Sequence, residues 1–193
     1  MKKITRVGAH LCLILLAAAF MGQAMAGQDT AEAGSIEARL TRLEDREAIV
    51  QLLVTYGHLL DEKDLRGYSQ LFAEDGVWEG GIGSATGPQG IYDMLDTVFK
   101  RVPPGNYGND YHIMSDFQVS TQGDTATSRS NWTWVIEGPA GTPVIQRSGH
   151  YEDQLVKVDG VWKFKYRLTV TEMPPPEKDA EAQIYRKDHR DKD

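Results

Sequence analysis

The chain has 193 residues, a formal net charge of −7 and a single cysteine. The acidic balance argues against nucleic acid and against anionic membrane surfaces as partners. The length suits one main domain, and a lone cysteine excludes a disulfide framework.

The first residues read as an export signal. Lys2, Lys3 and Arg6 are a positive n-region, Leu11 to Phe20 an apolar h-region, and Ala24-Met25-Ala26 a small-x-small cleavage site. The h-region is too short to span a bilayer. Residues 1–26 are therefore expected to be removed, leaving a mature chain with no membrane span, periplasmic or secreted. Cys12 leaves with the signal. All 28 acidic residues but only 18 of the 21 basic ones follow residue 26, so the mature chain is more acidic still.

Residues 27–34 read as a flexible leader. From about Ser35 to Glu62, apolar residues at Ile36, Leu40, Leu43, Ile49, Leu52, Leu53, Tyr56, Leu59 and Leu60 predict one long amphipathic helix. Asp64 is placed to cap a short second helix through Leu71 and Phe72. Asp75-Gly76 reads as a turn, Val77-Trp78-Glu79 as a short strand, and Gly80 to Gly83 as a hairpin tip. Pro88 to Arg101 predicts a third helix, stopped by Pro103-Pro104-Gly105.

Beyond it the period changes to two. Strands are predicted over Tyr111–Thr121, Thr125–Glu137, Val144–Val158 and Val161–Thr171, with turns at Gly123-Asp124 and Asp159-Gly160. Residues 173–193, opening on Pro174-Pro175-Pro176, read as a charged, disordered tail. Helices followed by antiparallel strands give an α+β class. A long helix, two short ones and a meander of long strands suit a cone-shaped curved sheet wrapped around the first helix over residues 35–172.

Three residues could form an acid–base site without a cofactor. Asp61 lies where the apolar face of the first helix ends, Tyr56 lies on that face, and His112 opens a strand. A carboxylate on one ring nitrogen of a histidine fixes its tautomer and leaves the other nitrogen as a base. His58, three residues before Asp61, is a rival partner. Trp78, Tyr111 and Trp132 are candidate walls of a pocket for a hydrophobic or aromatic substrate. Arg147 and His150, three apart on one strand, are further pocket candidates that point to opposite faces unless a bulge intervenes, so that either could assist; Arg167 in the last strand has the same standing. No metal-ligand spacing, phosphate loop or nucleophile elbow is present, so no metal is expected.

Several segments together resemble a known family. They are Asp45-Arg46-Glu47-Ala48-Ile49, Tyr56-x4-Asp61, Leu71-Phe72-Ala73-Glu74-Asp75-Gly76-Val77-Trp78, His112, Gly123-Asp124-Thr125-Ala126-Thr127, and Gly149-His150-Tyr151-Glu152-Asp153 with Asp159-Gly160-Val161-Trp162-Lys163-Phe164. In this order, from about Leu43 to Val170, they resemble the SnoaL-like, scytalone dehydratase-like branch of the nuclear-transport-factor-2-like superfamily. The resemblance implies an α+β cone with a deep pocket. It also implies an Asp61–His112 pair performing elimination without a cofactor, with Tyr56 polarising a substrate carbonyl. An isomerase or cyclase could use the same pair. A non-catalytic ligand-binding or accessory protein, or a subunit that assembles through its sheet, also fits. Such folds often self-associate, as dimers or trimers.

Overall fold

The computed structural model describes residues 34–101 and 109–174. The expected signal peptide, nearly all of the leader, the Pro103-Pro104-Gly105 stop and the tail from Pro175 lie outside the described residues. The chain divides into two units, Met1–Leu43 and Glu44–Asp193. The first contributes the opening turns of helix α1, Ile36–Asp61, begun by Ser35, whose Oγ accepts from Ala38 N at 3.1 Å. In those turns Ile36, Leu40 and Leu43 are exposed, although their spacing predicted the buried face.

In the second unit the apolar stripe does its expected work. Ile49, Leu52, Leu53 and Tyr56 are buried, recurring at helical spacing. The helix ends in a Schellman arrangement. Asp64 N donates to Leu59 O at 2.9 Å, and Lys63 N to Leu60 O at 3.2 Å. Lys63 takes the left-handed position there, with φ 60°. Asp64 then caps α2, Leu65–Gln70, its side chain accepting from Gly67 N at 2.9 Å.

The next strand starts earlier than its sequence suggests. β1 spans Phe72–Gly80, so Phe72 is not helical and Asp75-Gly76 is not a turn between elements. These two residues fall inside β1, where its register against the last strand shifts. β2 is Gly83–Thr86, and α3 is Gly87–Lys100, with Pro88 in the first turn, where its missing N–H costs nothing. Then come β3 (Asp110–Gln122), β4 (Thr125–Glu137), a short 3-10 turn (Pro139–Gly141), β5 (Pro143–Val158) and β6 (Val161–Met173).

The class is α+β, with three helices and one curved, mixed sheet among the described residues, in the order β2-β1-β6-β5-β4-β3. Every neighbouring pair is antiparallel except β1 and β6, which run parallel. The register defines an inner face. Met114, Trp132 and Gly149 align across β3, β4 and β5, as do Ser130, Tyr151 and Thr169 across β4, β5 and β6. Helix α1 packs on this face: the Tyr56 ring meets Tyr151 at 5.4 Å and Phe164 at 5.6 Å.

Two glycines permit close approaches here. A Cβ on Gly57 would stand 3.1 Å from Met114 Cγ, so α1 and β3 come together one helical turn before Asp61. A Cβ on Gly149 would stand 3.0 Å from Trp132 Cζ2 and 1.9 Å from Val170 O. The Trp132 indole lies where that side chain would be.

Candidate active site

Asp61 ends α1, and His112 is the third residue of β3. The Asp61 carboxylate binds His112 twice. Its two oxygens accept from the backbone N–H at 3.1 and 2.9 Å, and Oδ1 lies 2.6 Å from ring Nδ1. The side chains are 12% and 18% exposed for His112 and Asp61, so solvent dilutes the contact little. A carboxylate that already accepts the backbone N–H faces Nδ1 as an acceptor, which selects the Nδ1–H tautomer. The lone pair is then left on Nε2, and among the described residues Nε2 makes no hydrogen bond. The result is an oriented imidazole with one free basic nitrogen, the arrangement a general base requires.

Two indoles flank that ring. Trp134 lies parallel to it, at 8° and 6.1 Å between centroids, and Trp132 is tilted at 6.4 Å. An offset aromatic pair of this kind contributes about 0.5–1.5 kcal/mol beyond its buried area. The Trp134 Nε1–H donates to Asp110 Oδ2 at 2.9 Å, and Lys63 Nζ bridges both Asp110 oxygens at 3.0 Å.

Tyr56 sits elsewhere. Its hydroxyl accepts from Trp78 Nε1 at 3.0 Å and from the Tyr68 hydroxyl, deep in the core. No hydrogen bond or ring contact joins it to His112 among the described residues. Trp78 is likewise buried in that network rather than lining a space beside the imidazole. Burial, and next the neighbouring Tyr56, push the Tyr68 hydroxyl well above its usual pKa, and the same two causes lead for Tyr151.

Strand alternation separates the remaining candidates. Arg147 is opposite Trp134 in the register and so belongs to the inner face with His112. His150 is one step out of phase, on the other side of the sheet. There its Nδ1 lies 2.8 Å from Glu172 and its Nε2 3.2 Å from Glu152. Tyr111 precedes His112 by one residue, lies on that outer side too, and is 48% exposed. Neither can wall a space shared with the His112 ring. His58 is exposed, so it is no rival for Asp61. An open groove of about 510 Å³ lies on this outer side, lined by Gln118, Ser120, Arg129, Glu152, Gln154 and Tyr166 among others.

The inner face also holds a charge pair that sequence reasoning did not assemble. Arg167 Nε and Nη2 donate to Asp153 at 2.7 and 2.9 Å, and Ser128 Oγ donates to the same carboxylate at 2.6 Å. The guanidinium lies 4.0 Å over the Tyr56 ring, 4.2 Å over Tyr151 and 4.0 Å over Phe164. Burial alone would lower the Arg167 pKa, but Asp153 outweighs it and the net change is upward. The signal that could have found the pair is a cation and a carboxylate on adjacent strands of one hairpin. A bulge between Gln154 and Leu155 hides it, because simple counting from the turn pairs Asp153 with Tyr166.

The SnoaL-like domain model matches residues 41–168. The chain belongs to the SnoaL-like family. Among solved structures, this SnoaL-like chain is similar to an NTF2-like protein with a cystatin-like fold from Novosphingobium aromaticivorans. Identity is 27% over 77% of this chain and 94% of that one, with a TM-score of 0.64. It is also similar to a point variant of Rv3472, a protein of unknown function from Mycobacterium tuberculosis. Identity there is 26% over 72% and 76% of the two chains, with a TM-score of 0.59. LinA shares the fold at 21% identity, over 69% and 89%, with a TM-score of 0.59. No curated protein matches the SnoaL-like chain.

Proposed function

We propose that this SnoaL-like protein is a cofactor-free lyase of the elimination type, acting on a hydrophobic cyclic substrate. The observation that carries the reading is the Asp61–His112 contact, 2.6 Å at Nδ1, with no hydrogen bond at Nε2 among the described residues. In this mechanism Nε2 takes a proton beside a carbonyl or a leaving group. Asp61 stabilises the imidazolium that forms. The C–H electron pair becomes a double bond as hydroxide or halide departs, and a leaving hydroxide can recover the proton from Nε2 and go as water. Such a base supplies about 10²–10⁴-fold in rate. Trp132 and Trp134 give the surroundings of Nε2 an aromatic character that suits an apolar ring. Tyr56 has no part in these steps, since its oxygen is engaged by Tyr68 and Trp78.

The resemblance of residues 1–26 to an export signal supports a periplasmic or secreted location. The family resemblance supports self-association.

The test is a panel of β-hydroxy ketones and halogenated cyclohexanes incubated with the full chain, read by mass spectrometry for loss of water or hydrogen halide. Elimination products that disappear in His112→Ala support the reading. Binding with no mass change for any member, unaltered by His112→Ala, would replace it with a ligand-binding role. Products of unchanged mass but altered structure would assign an isomerase.

A further inference from the structure

Resting on the reading of His112 as the base, we propose that Lys63, Asp110 and Trp134 form a brace that positions the His112 imidazole. Trp134 is the positioning residue beside the ring.

Asp61 fixes one edge of the imidazole, at Nδ1. A single edge contact still leaves the ring free to swing about that hydrogen bond. What limits the swing is a flat neighbour that runs parallel to the ring, and Trp134 supplies it, 8° from parallel with the centroids 6.1 Å apart. An indole on a strand can itself turn about its side-chain bonds unless its N–H is held. Asp110 holds it at 2.9 Å, using Oδ2. Asp110 is in turn held through both oxygens by Lys63, and its own side chain is only 11% exposed. Each member of the series is thus fixed by the next.

The sequence placement supports a dedicated arrangement. Lys63 follows Asp61 by two residues, and Asp110 precedes His112 by two. The brace therefore joins the same two chain segments as the dyad, and a shift of one would be felt by the other. Lys63 also occupies the left-handed position after α1, φ 60°, where glycine is the usual residue. A non-glycine residue there costs roughly 1 kcal/mol or more. The Lys63 ammonium at that position is engaged at the base of the brace.

The same position supplies a clean variant. Lys63→Gly relieves the backbone strain, so the protein stays folded while the brace loses its cation. Asp110→Ala frees the indole N–H, Asp110→Asn keeps an acceptor for it, and Trp134→Leu removes the flat face. The readout is the tautomer and the ¹⁵N shifts of the His112 ring by NMR in the full chain, with circular dichroism to confirm folding. The wild type is expected to show one Nδ1–H tautomer. Lys63→Gly, Asp110→Ala and Trp134→Leu are expected to show mixed tautomers or averaged ring signals, and Asp110→Asn to restore the wild-type pattern in part. On a turned-over substrate, kcat should fall by about tenfold or more with KM little changed, the signature of a misplaced group.

Folded Lys63→Gly and Asp110→Ala proteins with wild-type His112 signals would overturn the brace. Asp61→Asn separates this from failure of the underlying reading. If Asp61→Asn also leaves the His112 tautomer unchanged, the dyad itself is wrong. If only Asp61→Asn changes it, the brace alone is wrong.

Discussion

Arg167 and Asp153 face each other across β6 and β5 through two hydrogen bonds, and neither side chain reaches solvent. Removing one partner leaves an uncompensated charge in the core. Asp153→Ala is expected to cost about 3–5 kcal/mol in urea unfolding. Replacing both partners, as Asp153→Leu with Arg167→Met, should recover much of that loss, since a well-packed apolar pair avoids the desolvation. A double variant no more stable than Asp153→Ala would show that the pair is worth more than its packing.

Gly149 is expected to tolerate no side chain. A Cβ there would stand 1.9 Å from a backbone oxygen that cannot move without opening the β5–β6 ladder. Gly149→Ala should rank with the most damaging single substitutions, above about 4 kcal/mol, and lower the melting temperature correspondingly. The same change at Gly160, where nothing lies within 4 Å but φ is 80°, should cost only about 1–2 kcal/mol of backbone strain.

Asp45 gives a pH-dependent prediction. Burial raises its pKa, but hydrogen bonds from Lys157 and Trp162 outweigh burial and leave it below the ordinary 3.8. A carboxylate lowered in the folded state contributes stability above its unfolded pKa and loses it as pH falls through the folded value. Asp45→Asn should therefore cost about 1–3 kcal/mol near neutral pH. The gap to the wild type should narrow once the pH drops below 3.8 and close when both states are protonated. Denaturant midpoints measured across that range check this.

The tyrosines act at the other end of the scale. The Tyr68 and Tyr151 hydroxyls are raised well above 10.0, led by burial and then by Tyr56. The folded state thus holds them neutral, a contribution fully present below the unfolded value and lost as pH rises through the folded one. Absorbance near 295 nm should show these two phenols ionising only together with loss of near-ultraviolet dichroism. Tyr68→Phe should reduce the amplitude of that cooperative step.

Asp61 should matter for structure as well as chemistry. Asp61→Ala leaves the His112 backbone N–H without its acceptor, at about 1–3 kcal/mol. Asp61→Asn keeps one acceptor oxygen and should cost less stability while still disturbing the imidazole. Comparing unfolding of the two variants separates the anchoring of β3 from the orientation of the ring.

Much of this architecture is legible in the residues. The period of two, with turns at Gly123-Asp124 and Asp159-Gly160, marks strands whose ends match the structure or differ from it by at most two residues. The Asp64 cap and Pro88 start are equally plain, because each follows from a local bond or a missing N–H. Other features depend on partners far along the chain. Gly76 mimics a turn because nothing local shows that it bulges within β1, where a Cβ would stand 2.5 Å from Phe164 O. Tyr111, a candidate wall, lies on the outer side, and of Arg147 and His150 it is Arg147 that faces inward. Alternation gives two possible phases, and Gly149 under Trp132 selects between them only once β4, β5 and β6 are assembled. Tyr56 lies on the apolar face of its helix, but its oxygen is engaged by Tyr68 and Trp78, which lie far along the chain, and not turned to a substrate. The Asp61–His112 contact spans 51 positions and no local pattern encodes it; Gly57, by admitting Met114, brings the two segments within reach.

The single parallel pairing, β1 with β6, dictates when the protein can be finished. Phe72 aligns with Phe164, about ninety residues later, so β1 has only the four-residue β2 beside it until the last strand arrives. A chain shortened anywhere before Phe164 cannot complete the ladder, however well its first half is made. Contacts of such long sequence separation close slowly. Assembly is therefore a race between β6 and any other strand that finds the open edge of β1, and dilute refolding should succeed where concentrated refolding yields aggregates.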